Sequence, residues 1–221
     1  MTTRAALLVL ADGRFPAGGH AHSGGAEPAV KAGRIRNAED LADFCLGRLH
    51  TTGLTSAALA AAATQGLDPL ALDEAADART PSPALRNVAR KLGRQLMRAA
   101  RATWPSAELA ALAEARPRGA HQPVVLGLTA RAAGLEPADA AHCVAYETVS
   151  GPATAVVRLL SLDPFEATAV LARLAPALDQ VAEQAAEAAR HGIEALPAAS
   201  APLLDIFAEA HAAWSVRLFA S

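Results

Sequence analysis

Seven histidines, at positions 20, 22, 50, 121, 142, 191 and 211, are the side chains best suited to bind a metal or move a proton near neutral pH. No two are four residues apart, so no helix presents two imidazoles on one face. His20-Ala21-His22 alone has a ligand-like spacing. In extended backbone, positions i and i+2 point to the same side and could share Ni²⁺ or Zn²⁺. On a helix the same pair diverges by roughly 200°, and two loop histidines that bind nothing are the plain alternative. With a carboxylate such as Glu27 around a water, the pair would make a small metal-dependent enzyme. Against that reading, the chain has no P-loop, GxGxxG, HExxH or GxSxG. Cys45 and Cys143 stand apart without a CxxC and read as two buried thiols in a reducing compartment.

Arginine carries the second signal. No acidic residue lies between Asp77 and Glu108, whereas Arg79, Arg86, Arg90, Lys91, Arg94, Arg98 and Arg101 all fall there. Arg86, Arg90, Arg94 and Arg98, with Arg101, form a helical stripe opposite Leu85, Val88, Leu92 and Leu96. An ordinary solvated helix mixes charge signs for i, i+4 pairing. An unopposed stripe invites an acidic partner surface. Nucleic acid fits less well, because no aromatic residue interleaves with the arginines and the net charge is −2. A helical DNA-binding regulator is therefore a weak alternative.

The chain end is the third signal. Leu203, Leu204, Ile206, Phe207, Ala210 and Trp214 share an apolar helical face, and Ser215-Val216-Arg217-Leu218-Phe219-Ala220-Ser221 follows. Chain ends are usually polar and frayed. This one must fold back into the core or insert into a partner, and Trp and Arg are favoured interface anchors.

Helices must carry all of these groups. Asp68-Pro69, Ser82-Pro83 and Asp163-Pro164 are N-caps followed by proline at the first helical position, and Asn37 caps a helix through about Thr52. Further helices are expected over 3–11, weakly over 21–32, and over 54–65, 83–103 and 121–133, with a short one opened by Pro105-Ser106. The same signals place one over 137–162, broken at Gly151-Pro152, one over 165–190, kinked at Pro176, and one over 202–214. The expected fold is all-α, a single compact bundle of about ten helices over 1–221.

Composition agrees. The chain has 221 residues, 52% of them hydrophobic but only 4% aromatic, and alanine makes up a little over a quarter. Alanine is the best helix former, and the scarcity of β-branched and aromatic residues disfavours a β-sandwich. No apolar run approaches membrane-spanning length and the early apolar run is too short for a signal peptide, so the expected location is the cytoplasm.

Four collinear stretches resemble one family. Leu7-Leu8-Val9-Leu10-Ala11-Asp12 through Phe15-Pro16-Ala17-Gly18-Gly19-His20-Ala21-His22-Ser23-Gly24-Gly25-Ala26-Glu27 resembles the opening signature of the UreF urease accessory proteins. Arg90-Lys91-Leu92-Gly93-Arg94-Gln95-Leu96 resembles their Gly-Arg-x-Leu helix. His121-Gln122-Pro123-Val124-Val125-Leu126-Gly127 resembles their His-x-Pro-x-x-x-Gly motif. Pro202-Leu203-Leu204-Asp205-Ile206 with His211 and Arg217-Leu218-Phe219-Ala220-Ser221 resembles their closing Arg-Leu-Phe-x-Ser tail.

The resemblance implies a non-enzymatic, dimer-forming helical scaffold for nickel-dependent urease activation. It implies binding of the accessory protein UreD (UreH) through the tail, here His211, Trp214, Arg217, Leu218, Phe219 and Ser221. It further implies recruitment of the GTPase UreG, docking on apo-urease, and nickel in transit with no tightly bound cofactor. Gly18, Gly19, His22, Ser23 and Glu27 would then lie near the UreG or dimer surface. The chain departs from the pattern at His20 and His22, where aromatics are common, and at Ala26, where leucine is usual. It also departs around Leu160–Glu166 and at Trp214-Ser215.

Overall fold

The computed structural model describes residues 4–221; Thr3, the expected start of the first helix, lies outside the described residues. The described chain is all α-helical, with no strand: α1 (Arg4–Ala11), α2 (Ala26–Lys31), α3 (Ala38–Arg48), α4 (Leu54–Gln65), α5 (Pro69–Ala78), α6 (Pro83–Thr103), α7 (Ala107–Ala115), α8 (Gln122–Ala132), α9 (Pro137–Leu160), α10 (Pro164–Arg190) and α11 (Pro202–Ala212). The caps act as their side chains dictate. Asn37 accepts from the amides of Glu39 and Asp40, Asp68 from Leu70 and Ala71, Ser82 from Leu85 and Asp163 from Phe165.

α4 is the axis of the molecule. Every residue from Ala57 to Ala63 is buried, so this helix has no polar face and is surrounded by α8, α9 and α10. Its small side chains let neighbouring backbones approach closely. A Cβ added at Gly127 of α8 would lie 2.2 Å from the Ala60 carbonyl oxygen, and one at Gly93 of α6 would lie 2.0 Å from that of Ala120. Two adjoining cores result. One gathers Leu59, Leu72, Leu96, Leu109, Val124 and Leu128; the other gathers Ile35, Leu41, Leu49, Val149, Val170 and Phe219.

The break expected in α9 is absent: the helix runs through Gly151-Pro152, and α10 is likewise continuous through Pro176. Pro152 is buried and packed, and tertiary burial outweighs the local loss of one hydrogen bond. The interruption that does occur was not foreseen: α3 passes into α4 through a π-turn at Leu49–Gly53. There Gly53 lets the helix approach α9, since a Cβ would lie 2.9 Å from the Thr148 side chain.

Candidate partner interface at the C-terminal clasp

The chain end folds back and is held by the segment after the double glycine. Glu27, only 8% exposed, sits at the start of α2. One carboxylate oxygen accepts the Leu218 amide at 2.8 Å; the other accepts the Phe219 amide at 3.0 Å and lies 2.8 Å from His211 Nε2. Burial alone would raise the Glu27 pKa, but the Leu218, His211 and Phe219 hydrogen bonds outweigh it and hold the carboxyl below its ordinary value. Ser23 adds its amide (2.6 Å) and hydroxyl (2.7 Å) to the Ser221 carbonyl, and the Ala220 amide donates to Ala21. His22 Nδ1 lies 2.6 Å from the Ser221 hydroxyl. Burial, and then the charge of Lys91, lower the His22 pKa.

The clasp sorts the tail side chains into two sets. Phe219 is buried beneath Arg158, whose guanidinium lies 4.9 Å from the ring centroid. Trp214 is half-buried, with the Lys31 ammonium 3.8 Å from its ring centroid. Val216 and Leu218 remain 84% and 65% exposed, and Arg217 is exposed between them. Fold-back and display are therefore not alternatives: the backbone and Phe219 are pinned inward, while Val216, Arg217 and Leu218 are displayed.

The site residues expected from sequence fare unequally. Ser23 and Glu27 are buried and serve the tail, so they are not themselves a surface. Gly18 holds φ +83 and abuts Gln95 of α6, where a Cβ would overlap the side-chain oxygen, so only glycine fits that turn; Gly19 is open and exposed. His20 and His22 stand at the end of a short 3₁₀ turn and engage different groups, His20 the Gly13 carbonyl and His22 the tail. Among the described residues no group of three or more His, Cys, Asp or Glu is placed to hold a metal ion.

The basic stripe is not unopposed, and this corrects the sequence reading. Arg90 pairs with Asp73 at 3.1 Å and Asp77 at 2.5 Å, and Arg86 approaches Asp77 at 4.0 Å while donating to the Thr80 and Pro81 carbonyls. The acids come from α5, seventeen and thirteen residues away, beyond the reach of an i, i+4 count. Arg94 and Arg98 are exposed and make no such pair among the described residues, although Arg94 donates to the Arg118 carbonyl. Opposite the stripe, Leu85, Val88 and Leu92 are half-buried and line a cleft beneath α11.

A polar knot missed in the sequence holds the His121 motif. Asp73, 1% exposed, accepts from Arg90, Arg116 Nε (2.8 Å) and the His121 amide (2.8 Å), and the His121 ring meets Asp77 at 2.8 Å. Burial lowers the His121 pKa despite that carboxylate. The detectable signal was Asp73 and Asp77, four apart on one face of a capped helix. Cys45 and Cys143 are buried and unbridged, and burial pushes both thiols up to about 12, leaving them inert.

Comparison with known proteins settles the family. The UreF family model matches residues 35–175, and the chain is 45% identical over 223 residues to the urease accessory protein UreF of Mycobacterium sp. (strain JLS), covering both chains completely. The chain belongs to the UreF family of urease accessory proteins. The UreF proteins of Mycobacterium marinum (44% over 222 residues, full coverage of both) and Mycobacterium tuberculosis (42% over 214 residues, 96% of this chain and 95% of the relative) agree. UreF proteins are named for an accessory role, and this chain is accordingly not an enzyme. Two of the family-like motifs owe their residue types to packing: Gly93 and Gly127 mark close backbone approaches, and His121 anchors the Asp73–Asp77 knot. No helix among the described residues is long and apolar enough to cross a membrane.

Proposed function

We propose that this UreF-family chain is a cytoplasmic scaffold in nickel-dependent urease maturation, joining UreD at its C-terminal clasp to the GTPase UreG and presenting the assembly, with the scaffold as a homodimer, to apo-urease. Nickel is cargo that transits the assembly. One observation carries this reading: Val216, Arg217 and Leu218 are displayed on a backbone that Glu27 immobilises. A pre-ordered strip of apolar side chains around an arginine loses little entropy on binding, which is how hot spots work. The double-glycine turn, which shares a depression with Arg98, supplies a second face for UreG, with the exposed Arg94 one turn earlier on α6.

The test is co-purification with UreD. Removing 215–221 would also strip Glu27 of its tail donors, so point changes are cleaner. Leu218→Asp and Arg217→Glu are expected to abolish UreD capture while circular dichroism stays unchanged; wild-type capture by both would overturn the reading. Arg94→Glu with Arg98→Glu is expected to weaken UreG recruitment at low salt but spare UreD capture.

A further inference from the structure

Arg48 is half-buried, and its charge has no carboxylate within 4 Å among the described residues. Its anchoring has a definite cause. Pro152 lacks the amide that would serve the Thr148 carbonyl one turn earlier in α9, and Arg48 Nε donates to that carbonyl at 3.1 Å. This uses one of five N–H donors and fixes the plane of the guanidinium. Burial lowers the Arg48 pKa, and only the Cys45 thiol acts against it.

Two further features converge on the same place. The Thr52 hydroxyl is buried with no hydrogen-bond partner among the described residues, although buried polar atoms are almost always paired. Arg48 and Thr52 stand four apart across the π-turn, a deformation that often marks functional sites. Both line a cleft of about 230 Å³. Leu59, Leu85, Val88 and Leu204 form its apolar wall, and His22 and Arg217 close it at the clasp. Apolar walls strengthen a charge interaction made inside them.

We propose that this cleft binds a small oxyanion of the phosphate, bicarbonate or carboxylate type, held by the terminal nitrogens of Arg48 and the hydroxyl of Thr52. A planar fork of donors beside a hydroxyl donor matches the edge of such an ion. The structural role of Arg48, serving one carbonyl, needs only Nε and leaves the remaining donors and the Thr52 hydroxyl unexplained. This site goes beyond the scaffolding role and does not rest on it.

The test uses the full chain, thermal unfolding and titration calorimetry, with sodium phosphate, bicarbonate or acetate added against chloride at matched ionic strength. At least one ion is expected to bind saturably and, at about 100 times its Kd, to raise Tm by roughly 5–10 °C. Phenyl phosphate in place of phosphate separates the two sources of the ligand: weaker binding means a free ion, and equal or tighter binding means the head of a larger molecule. Arg48→Gln keeps a donor for Thr148 and is expected to abolish the shift; Thr52→Val is expected to lower affinity about tenfold and serves alone if the arginine variant fails to fold. No saturable shift with any ion, or wild-type affinity in Thr52→Val, overturns the proposal.

Discussion

Glu27 shows how much one carboxylate can organise when its partners are backbone amides. Replacing it by alanine leaves the Leu218 and Phe219 amides and His211 without an acceptor, which is expected to cost about 2–4 kcal/mol. Hydrogen exchange should then report faster exchange at both amides, with α4 unchanged. Because the folded carboxyl lies below its ordinary value, its contribution is present above the unfolded carboxylate pKa and is lost as pH falls through the folded one. Acid should therefore loosen the tail before the bundle melts. Glu147 runs the other way. Burial raises it to about 7 despite a 2.7 Å hydrogen bond from Gln122, so its contribution is greatest below the unfolded pKa and is lost as pH rises through 7. Glu147→Gln is expected to raise Tm more at pH 8 than at pH 5, measured by calorimetry; an equal gain at both values would refute this assignment.

Among elements, α4 and its neighbours set the tolerance to change. Gly127→Ala would press a Cβ into the Ala60 carbonyl and is expected to destabilise by about 3 kcal/mol. Gly151→Ala in α9 meets nothing within 4 Å and should instead stabilise by about 0.5–1 kcal/mol; paired urea titrations would read both. On α6, Arg90→Glu should lower stability sharply, because it faces Asp73 and Asp77, while Arg98→Glu should leave it nearly unchanged. Helix starts were legible in the sequence because Asn37, Asp68, Ser82 and Asp163 act within one turn of themselves. Pro152 and the π-turn were not, because both are decided by what α9 and α4 press against. The same division governs the site. The tail was legible as an anomaly of large side chains at a chain end. Its clasp was not, since Glu27 and Leu218 are 191 residues apart.

For the whole molecule, α11 and the tail form the least integrated layer. α11 fully buries only His211, and polar clasps in its last turn hold it: Glu209 accepts from Ser82 and the Ala84 amide, and His211, two residues on, meets Glu27. Limited proteolysis is expected to cut first between 196 and 201, leaving a core of α1–α10. A partner that covers Leu203 and Ile206, 47% and 63% exposed, should suppress that cut. The link between Ser23 and Ser221 spans 198 positions, and this separation bears on time as well as shape. Contacts so distant in sequence are entropically the hardest to close and are made only after the helices between them have packed. In folding, the tail is then the last segment to dock, and among native fluctuations it is the first to open. The display of Val216, Arg217 and Leu218 thus reports that the rest of the chain is already complete.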